Sequence, residues 1–334
     1  MVLGPLDAQF LLRDEGLRRD RAKRRIEDRE SHRWVAATAL AGAALRQAAR
    51  ITMVADREAD IWEHFADRPA EVDLVIRAAH DRALEDGGQL FAEASAWPEA
   101  GRLEVTVEAR PGQKTRLARL ALRFGPAVLR RARRLSHTER DTRLLAVWLV
   151  DLREVDPPQG ATPLHWRLLT THEVERADQA IEIASIYRRR WIIEQVFRIL
   201  KTKGFDIEAL SIEAEEPRNK LIAACLVVAC AVQKMVQARD GTTADGIPPR
   251  PITDAFMPEE QPILRALSQS LEGKTQRQKN PHPPDSLAFA TWVMARLGGW
   301  NCYYGKPGPI TILEGWIEFQ SLKRGAALDW RENV

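Results

Sequence analysis

Residues Ile181–Lys203 read IEIASIYRRRWIIEQVFRILKTK, a run without glycine or proline that meets Gly204 at its end. Such a run predicts one helix with Gly204 as its C-terminal cap. Tyr187, Arg190, Glu194 and Lys201 lie in it at offsets of three, seven and fourteen. At about 100° per residue, those offsets return within about 60° of one another, so the four share one face. The other faces carry Ile186, Ile192, Ile193, Val196, Phe197, Ile199 and Leu200, so the helix is expected to be largely buried with one polar stripe.

Two readings of the stripe stand side by side. One is an ion-pair ladder on a solvated face, Arg190 with Glu194 and Glu194 with Arg198. The other is a site in which Glu194 binds a metal ion while Tyr187, Arg190 and Lys201 hold phosphates. Hard cations take oxygen ligands, so a carboxylate set among cations on an otherwise apolar helix fits that chemistry.

Upstream of the helix, period-two alternation predicts antiparallel strands. LEVTVEA, LARLALRF and LHWRLLT alternate, LLAVWLVDL is continuous, and turn signals separate them. Trp166, in LHWRLLT, is either a core aromatic beside Leu164 and Leu168 or a platform on which an unpaired base stacks; base stacking is worth about 1–3 kcal/mol. Further upstream, ITMVA (residues 51–55) and VDLVI (residues 72–76) are continuous apolar runs flanking a helix through Trp62 and Phe65. Strand, helix and strand in so short a span predict a βαβ unit with a parallel pair. Asp56 stands at the carboxyl end of the first strand, where open sheets gather their chemistry. A helix from about Ser31 to Ala49 precedes it, and the apolar opening VLGPLDAQFLLRDEG is expected to be a strand.

Downstream, Pro217 to Gln237 predicts a second apolar helix. Residues 241–283 are rich in Pro, Gly and polar residues and predict a linker with one short amphipathic segment, PEEQPILRALSQSL, and a mobile stretch, GKTQRQKNPHPPD. The last segment predicts two helices around the ARLGGW turn.

The chain has 334 residues, 45% hydrophobic, with a net charge of +3, so bulk charge does not point to nucleic acid. Basic residues nevertheless run together at Arg18–Arg25 and at Arg130–Arg143. The three cysteines, Cys225, Cys230 and Cys302, lack metal-ligand spacing, and two lie in an apolar run that predicts buried thiols. No signal peptide and no apolar segment of membrane-spanning length is read, so the expectation is a cytoplasmic protein without disulfides and without a membrane partner.

The pattern Tyr-x2-Arg-x3-Glu-x6-Lys at Tyr187, Arg190, Glu194 and Lys201 resembles the signature of DDE transposases of the insertion-sequence-four branch, the group of the transposon-five transposase. MVADREADIWEHF around Asp56 resembles that family's second catalytic motif. The resemblance implies an α/β fold with a ribonuclease-H-like core, an antiparallel β insertion and an α-helical C-terminal segment that pairs transposase molecules. It assigns residues 1–84 to the core, 85–172 to the insertion, 173–240 to the catalytic helix and the end of the core, 241–283 to a linker and 284–334 to the C-terminal segment. It also implies Mg²⁺ or Mn²⁺ in a two-ion site with Asp56 and Glu194 as second and third carboxylates. Tyr187, Arg190 and Lys201, with Arg198, would contact the DNA backbone, and Trp166 would stack on a base near the transposon end.

No counterpart of the family's first Asp is found, and the resemblance begins at the third core strand. The first two core strands are therefore expected to be missing, leaving an unpaired edge near Ile51–Ala55. The expected activity is metal-dependent cleavage and joining of double-stranded DNA at transposon ends, with this chain inactive by itself. The alternatives are a non-catalytic truncated transposase that pairs with itself or with a full-length enzyme and poisons it, a decayed gene product, or an unrelated ribonuclease-H-like nuclease or resolvase using the same carboxylates.

Overall fold

The computed structural model describes residues 1–10, 29–107, 115–131, 144–201, 204–241 and 249–326. The chain divides into a sheet unit, residues 29–190, and a helical unit, residues 1–10 and 191–326.

The sheet unit holds α1 (His32–Ala44), β1 (Ile51–Ala55), α2 (Trp62–Ala66), β2 (Val72–Arg77), α3 (Leu90–Ala96), β3 (Gly101–Val107), β4 (Arg116–Arg130), β5 (Leu144–Glu154), β6 (His165–Thr170) and α4 (Ala177–Arg188). Its six strands run in the order β1-β2-β6-β5-β4-β3. β1 and β2 are parallel, with Ile51 opposite Val72 and Ala55 opposite Ile76. The remaining pairs are antiparallel. Among the described residues β1 is the edge strand on its side, and the strands read as an insertion are continuous with the βαβ unit in one sheet. The boundary expected at residue 84 therefore falls inside one folded unit. The reason is β6, whose Leu168, Leu169 and Thr170 pair with β2 and join the two halves.

Period-two alternation fills both faces of the sheet. Leu74, Ile76, Leu149 and Leu169 point to one side, where Trp62, Phe65 and Leu90 of α2 and α3 pack on them. Val75, Val150, Leu152 and Leu168 point to the other, where Ala180, Ile183, Ala184 and Tyr187 of α4 pack. α4 begins where the Gln179 side chain accepts the backbone N–H of Arg176 at 3.0 Å and of Glu175 at 2.9 Å, satisfying donors that a helix start leaves open.

The helical unit holds α5 (Trp191–Leu200), α6 (Glu215–Ala238), α7 (Gln261–Leu271), α8 (Leu287–Leu297) and α9 (Pro309–Ala326). α8 is its centre: nine of its residues, from Leu287 to Ala295, are buried. A Cβ on Gly315 of α9 would lie 1.7 Å from the Met294 carbonyl oxygen, so only glycine allows α8 and α9 to approach so closely.

Five expectations are corrected here. The single helix over residues 181–203 is two helices, with a turn at Arg189–Arg190 closed by Arg189 N–H to Ile186 O (3.1 Å) and Arg190 N–H to Tyr187 O (3.0 Å). These tighter bonds end α4, whose apolar face belongs to the sheet, while Val196, Ile199 and Leu200 of α5 join the helical core. α5 is also less buried than expected, since Trp191, Ile193 and Phe197 are about half exposed.

Residues 1–10 form no strand; Val2 instead donates its N–H to Gln237 Oε1 at 2.9 Å and accepts from Arg250 at 2.8 Å within the helical unit. GKTQRQKNPHPPD is not a free tether: Asn280 donates to Ser268 Oγ at 3.1 Å and to the Phe289 carbonyl at 3.2 Å. Finally, α6, at 24 residues, is by length and composition apolar enough to cross a membrane, contrary to the reading that no such segment exists. One such helix is weak evidence, since a core helix passes the same test; Cys225, Ala229, Cys230, Val232 and Met235 of α6 are buried among the other helices. The basic run Arg18–Arg25 and most of Arg130–Arg143 lie outside the described residues.

Candidate active site at the carboxyl end of β1

β1 delivers Asp56 into extended backbone (φ −87°, ψ −174°), where it caps a single 3-10 turn, Arg57–Ala59, by accepting the Arg57 N–H at 2.9 Å. Its carboxylate is about two-fifths exposed. The last residue of α4 to face the sheet brings Tyr187, whose hydroxyl donates to Asp56 Oδ1 at 3.5 Å. The turn that follows brings Arg190, whose guanidinium lies 3.6 Å from Asp56 Oδ2 and 5.8 Å from the Tyr187 ring centroid. Residues 131 positions apart in sequence thus meet at one strand end.

Burial first, and then the Asp56 charge, push the Tyr187 hydroxyl above its ordinary pKa of 10.0; Arg77 and Arg190 pull the other way. The hydroxyl therefore remains protonated at neutral pH and acts as a hydrogen-bond donor. Arg77 ends β2, one residue past the pair Ala55–Ile76, acts on the Tyr187 hydroxyl through its charge and donates to the His165 carbonyl at 3.1 Å. It was not singled out from the sequence. Strand register was the signal that could have found it: the residue after Ile76 is the neighbour of the residue after Ala55.

Trp166 is 7% exposed and packs edge-on against Tyr187, with ring centroids 5.7 Å apart at 63°. This is the core-aromatic reading, and the ring is not presented to a strand. Tyr187, at 3% exposure, is likewise turned inward, toward Asp56 rather than toward a backbone phosphate. Glu194, Arg198 and Lys201 are exposed on and just after α5, in the helical unit. Lys201 pairs there with Glu208 at 2.9 Å. α5 ends as the sequence requires: Gly204 donates to Lys201 O at 2.8 Å and Phe205 to Ile199 O at 2.9 Å, and a Cβ on Gly204 would lie 1.7 Å from that Ile199 oxygen.

Carboxylate oxygen is the right donor for Mg²⁺ or Mn²⁺. The sheet unit alone does not fit such an ion, because Asp56 faces a tyrosine and an arginine. Among the described residues, no group of three or more His, Cys, Asp or Glu could hold a metal. What the arrangement offers is one exposed carboxylate held by a neutral hydroxyl donor, and beside them two guanidinium groups, the side chains that suit a phosphodiester.

The family model for the transposase DDE domain matches residues 35–231, a span that runs from α1 through Asp56 and Glu194 into α6, and the chain belongs to that family.

Proposed function

We propose that this transposase is of the insertion-sequence-four branch and acts on double-stranded DNA at transposon ends, cleaving and joining strands with divalent metal ions. The observation that carries the reading is the meeting of Asp56, Tyr187 and Arg190 at the end of β1. Those residues come from the two motifs that resemble the branch, and they converge although they lie far apart in the chain. Transposases of this family generally use divalent metal ions. Asp56 and Glu194 are the acids proposed to ligate them, with support for Glu194 coming from the Tyr-Arg-Glu-Lys spacing and its exposed place on α5.

Arg190 and Arg77 would bind non-bridging phosphate oxygens, a charge-assisted contact that a guanidinium makes well. Tyr187 would hold the Asp56 carboxylate in place through its hydroxyl. Trp166 would support Tyr187 from behind. Lys201 and Arg198 would contact backbone phosphate from α5. Two acids are fewer than a two-ion site takes, so the chain by itself is proposed to bind end DNA without cleaving it.

The test uses the DNA that flanks the gene as substrate, with Mg²⁺ or Mn²⁺. Binding with a steep salt dependence, weakened by Arg190→Ala and retained on Asp56→Asn, is expected. Nicking by the purified chain would refute the proposed inactivity. Absence of any preference for the flanking DNA over random DNA would refute end recognition.

A further inference from the structure

Asp60 lies four residues beyond Asp56 and is absent from every role assigned above. Its side chain is fully buried. Oδ2 accepts the backbone N–H of Ala79 at 2.7 Å and of His80 at 3.2 Å. Oδ1 accepts from Arg82, whose guanidinium also donates to the Asp60 backbone carbonyl at 2.9 Å and is only 13% exposed. The groups that meet this side chain are all donors. An ionised carboxylate, which only accepts, satisfies them; an amide would turn an NH₂ toward a donor. A buried carboxylate paired in this way is costly to disturb.

The same turn is held at two further points. Asp60 N–H closes on Arg57 O at 3.1 Å and Ala59 N–H on Asp56 O at 3.0 Å, so the backbone from Asp56 to Asp60 is one hydrogen-bonded unit. From the other side, His64 Nδ1 lies 3.1 Å from Ala59 O, and its Nε2 lies 2.7 Å from Thr38 Oγ1 of α1. The cleft beside the turn, about 610 Å³, is lined by Arg57, Asp60, Ala79 and His80 among others.

We infer that Asp60 is a positioning residue for Asp56: through Arg82 and the Ala79 and His80 amides it ties the turn after β1 to the loop after β2, and so fixes where the Asp56 carboxylate stands. Its importance to the reaction rests on the reading of Asp56 as an active-site acid. Its effect on Asp56 does not, and can be measured without DNA.

The experiment is amide hydrogen exchange of the full chain, read at Arg57, whose N–H the Asp56 carboxylate accepts, and at Ala59, whose N–H closes on Asp56 O. Asp60→Asn is expected to speed exchange at both amides well beyond any change at Leu74 and Val75 of β2. Arg82→Lys, which keeps the charge but not the guanidinium, is expected to speed it less. Exchange at Arg57 and Ala59 in Asp60→Asn that rises no more than in β2, even with a lowered melting temperature, would assign Asp60 a purely structural role and overturn the inference. If Asp60→Asn gives no folded protein, unchanged exchange at the turn in Arg82→Lys overturns it instead. No DNA enters the measurement, so a failure here leaves the proposed function standing, and a failure of end-DNA binding leaves this result standing.

Discussion

Replacing Trp166 with alanine separates the two roles this residue could have. A tryptophan side chain presents about 200 Å² of surface, and Trp166 keeps only 7% of its exposure. At about 25 cal/mol per Å² the burial is worth roughly 4–5 kcal/mol as an upper estimate. That agrees with the range of about 3–5 kcal/mol for truncating buried aromatics to alanine. The edge-on contact with Tyr187 adds about 0.5–1.5 kcal/mol. Trp166→Ala should therefore lower unfolding free energy by about 4 kcal/mol, a large part of a typical domain's total. Trp166→Phe, which keeps an aromatic edge against Tyr187, should lose less. The assay is urea unfolding followed by circular dichroism, with binding to frayed-end and blunt-end DNA measured below the transition. An unchanged urea midpoint in Trp166→Ala, together with weaker binding to frayed ends only, would show that the ring serves an unpaired base and would refute the packing argument.

Burial holds the His64 imidazole below its ordinary value of 6.5, offset in part by its bond with the Ala59 carbonyl. The native form is neutral where the unfolded chain binds a proton, so this contribution is full above about pH 6.5 and is lost as pH falls from there toward the lowered native value. His64→Gln should flatten the stability profile between about pH 7 and 5, and an unchanged slope in thermal melts across that range would count against it. Gly204→Ala forces a Cβ to within 1.7 Å of backbone at the end of α5; a loss of about 1–3 kcal/mol in thermal unfolding is expected, and a neutral substitution would show that this close approach is not required. Arg77→Ala and Arg190→Ala should each weaken end-DNA binding and each reduce the slope of log K against log salt by about 1. A Kd and slope for Arg77→Ala equal to the parent's would remove it from the phosphate grip.

The β strands could be read from the sequence because their signal is local. ITMVA and VDLVI are continuous because both faces of a parallel pair are covered, and the alternation of Leu74, Val75 and Ile76 assigns each to its own core cluster. The break at Arg189–Arg190 could not be read in this way. Every residue from Ile181 to Leu200 favours or tolerates helix, and what ends α4 is that Ala180, Ile183, Ala184 and Tyr187 belong to one core while Val196, Ile199 and Leu200 belong to another. Periodicity places an apolar face; it does not name the body that covers it. The opening residues show the same limit, since Val2 is apolar but bonds to Gln237 and Arg250 rather than to a neighbouring strand.

The site divides along the same line. Asp56 was identifiable because the end of a buried strand can be located from one segment alone. Arg77, Asp60 and Arg82 were not, because each acquires its role from a partner that the fold supplies: the β1–β2 register, the amides after β2, the carboxylate after β1. The residues that present the acid are thus written locally, and those that hold it still are written across elements. This orders the expected damage. A substitution at Asp56 removes a group and leaves the frame, whereas one at Asp60 leaves the group and loosens the frame. The first should abolish whatever Asp56 contributes at every temperature, and the second should worsen on warming, as the turn between β1 and α2 begins to open before the sheet does.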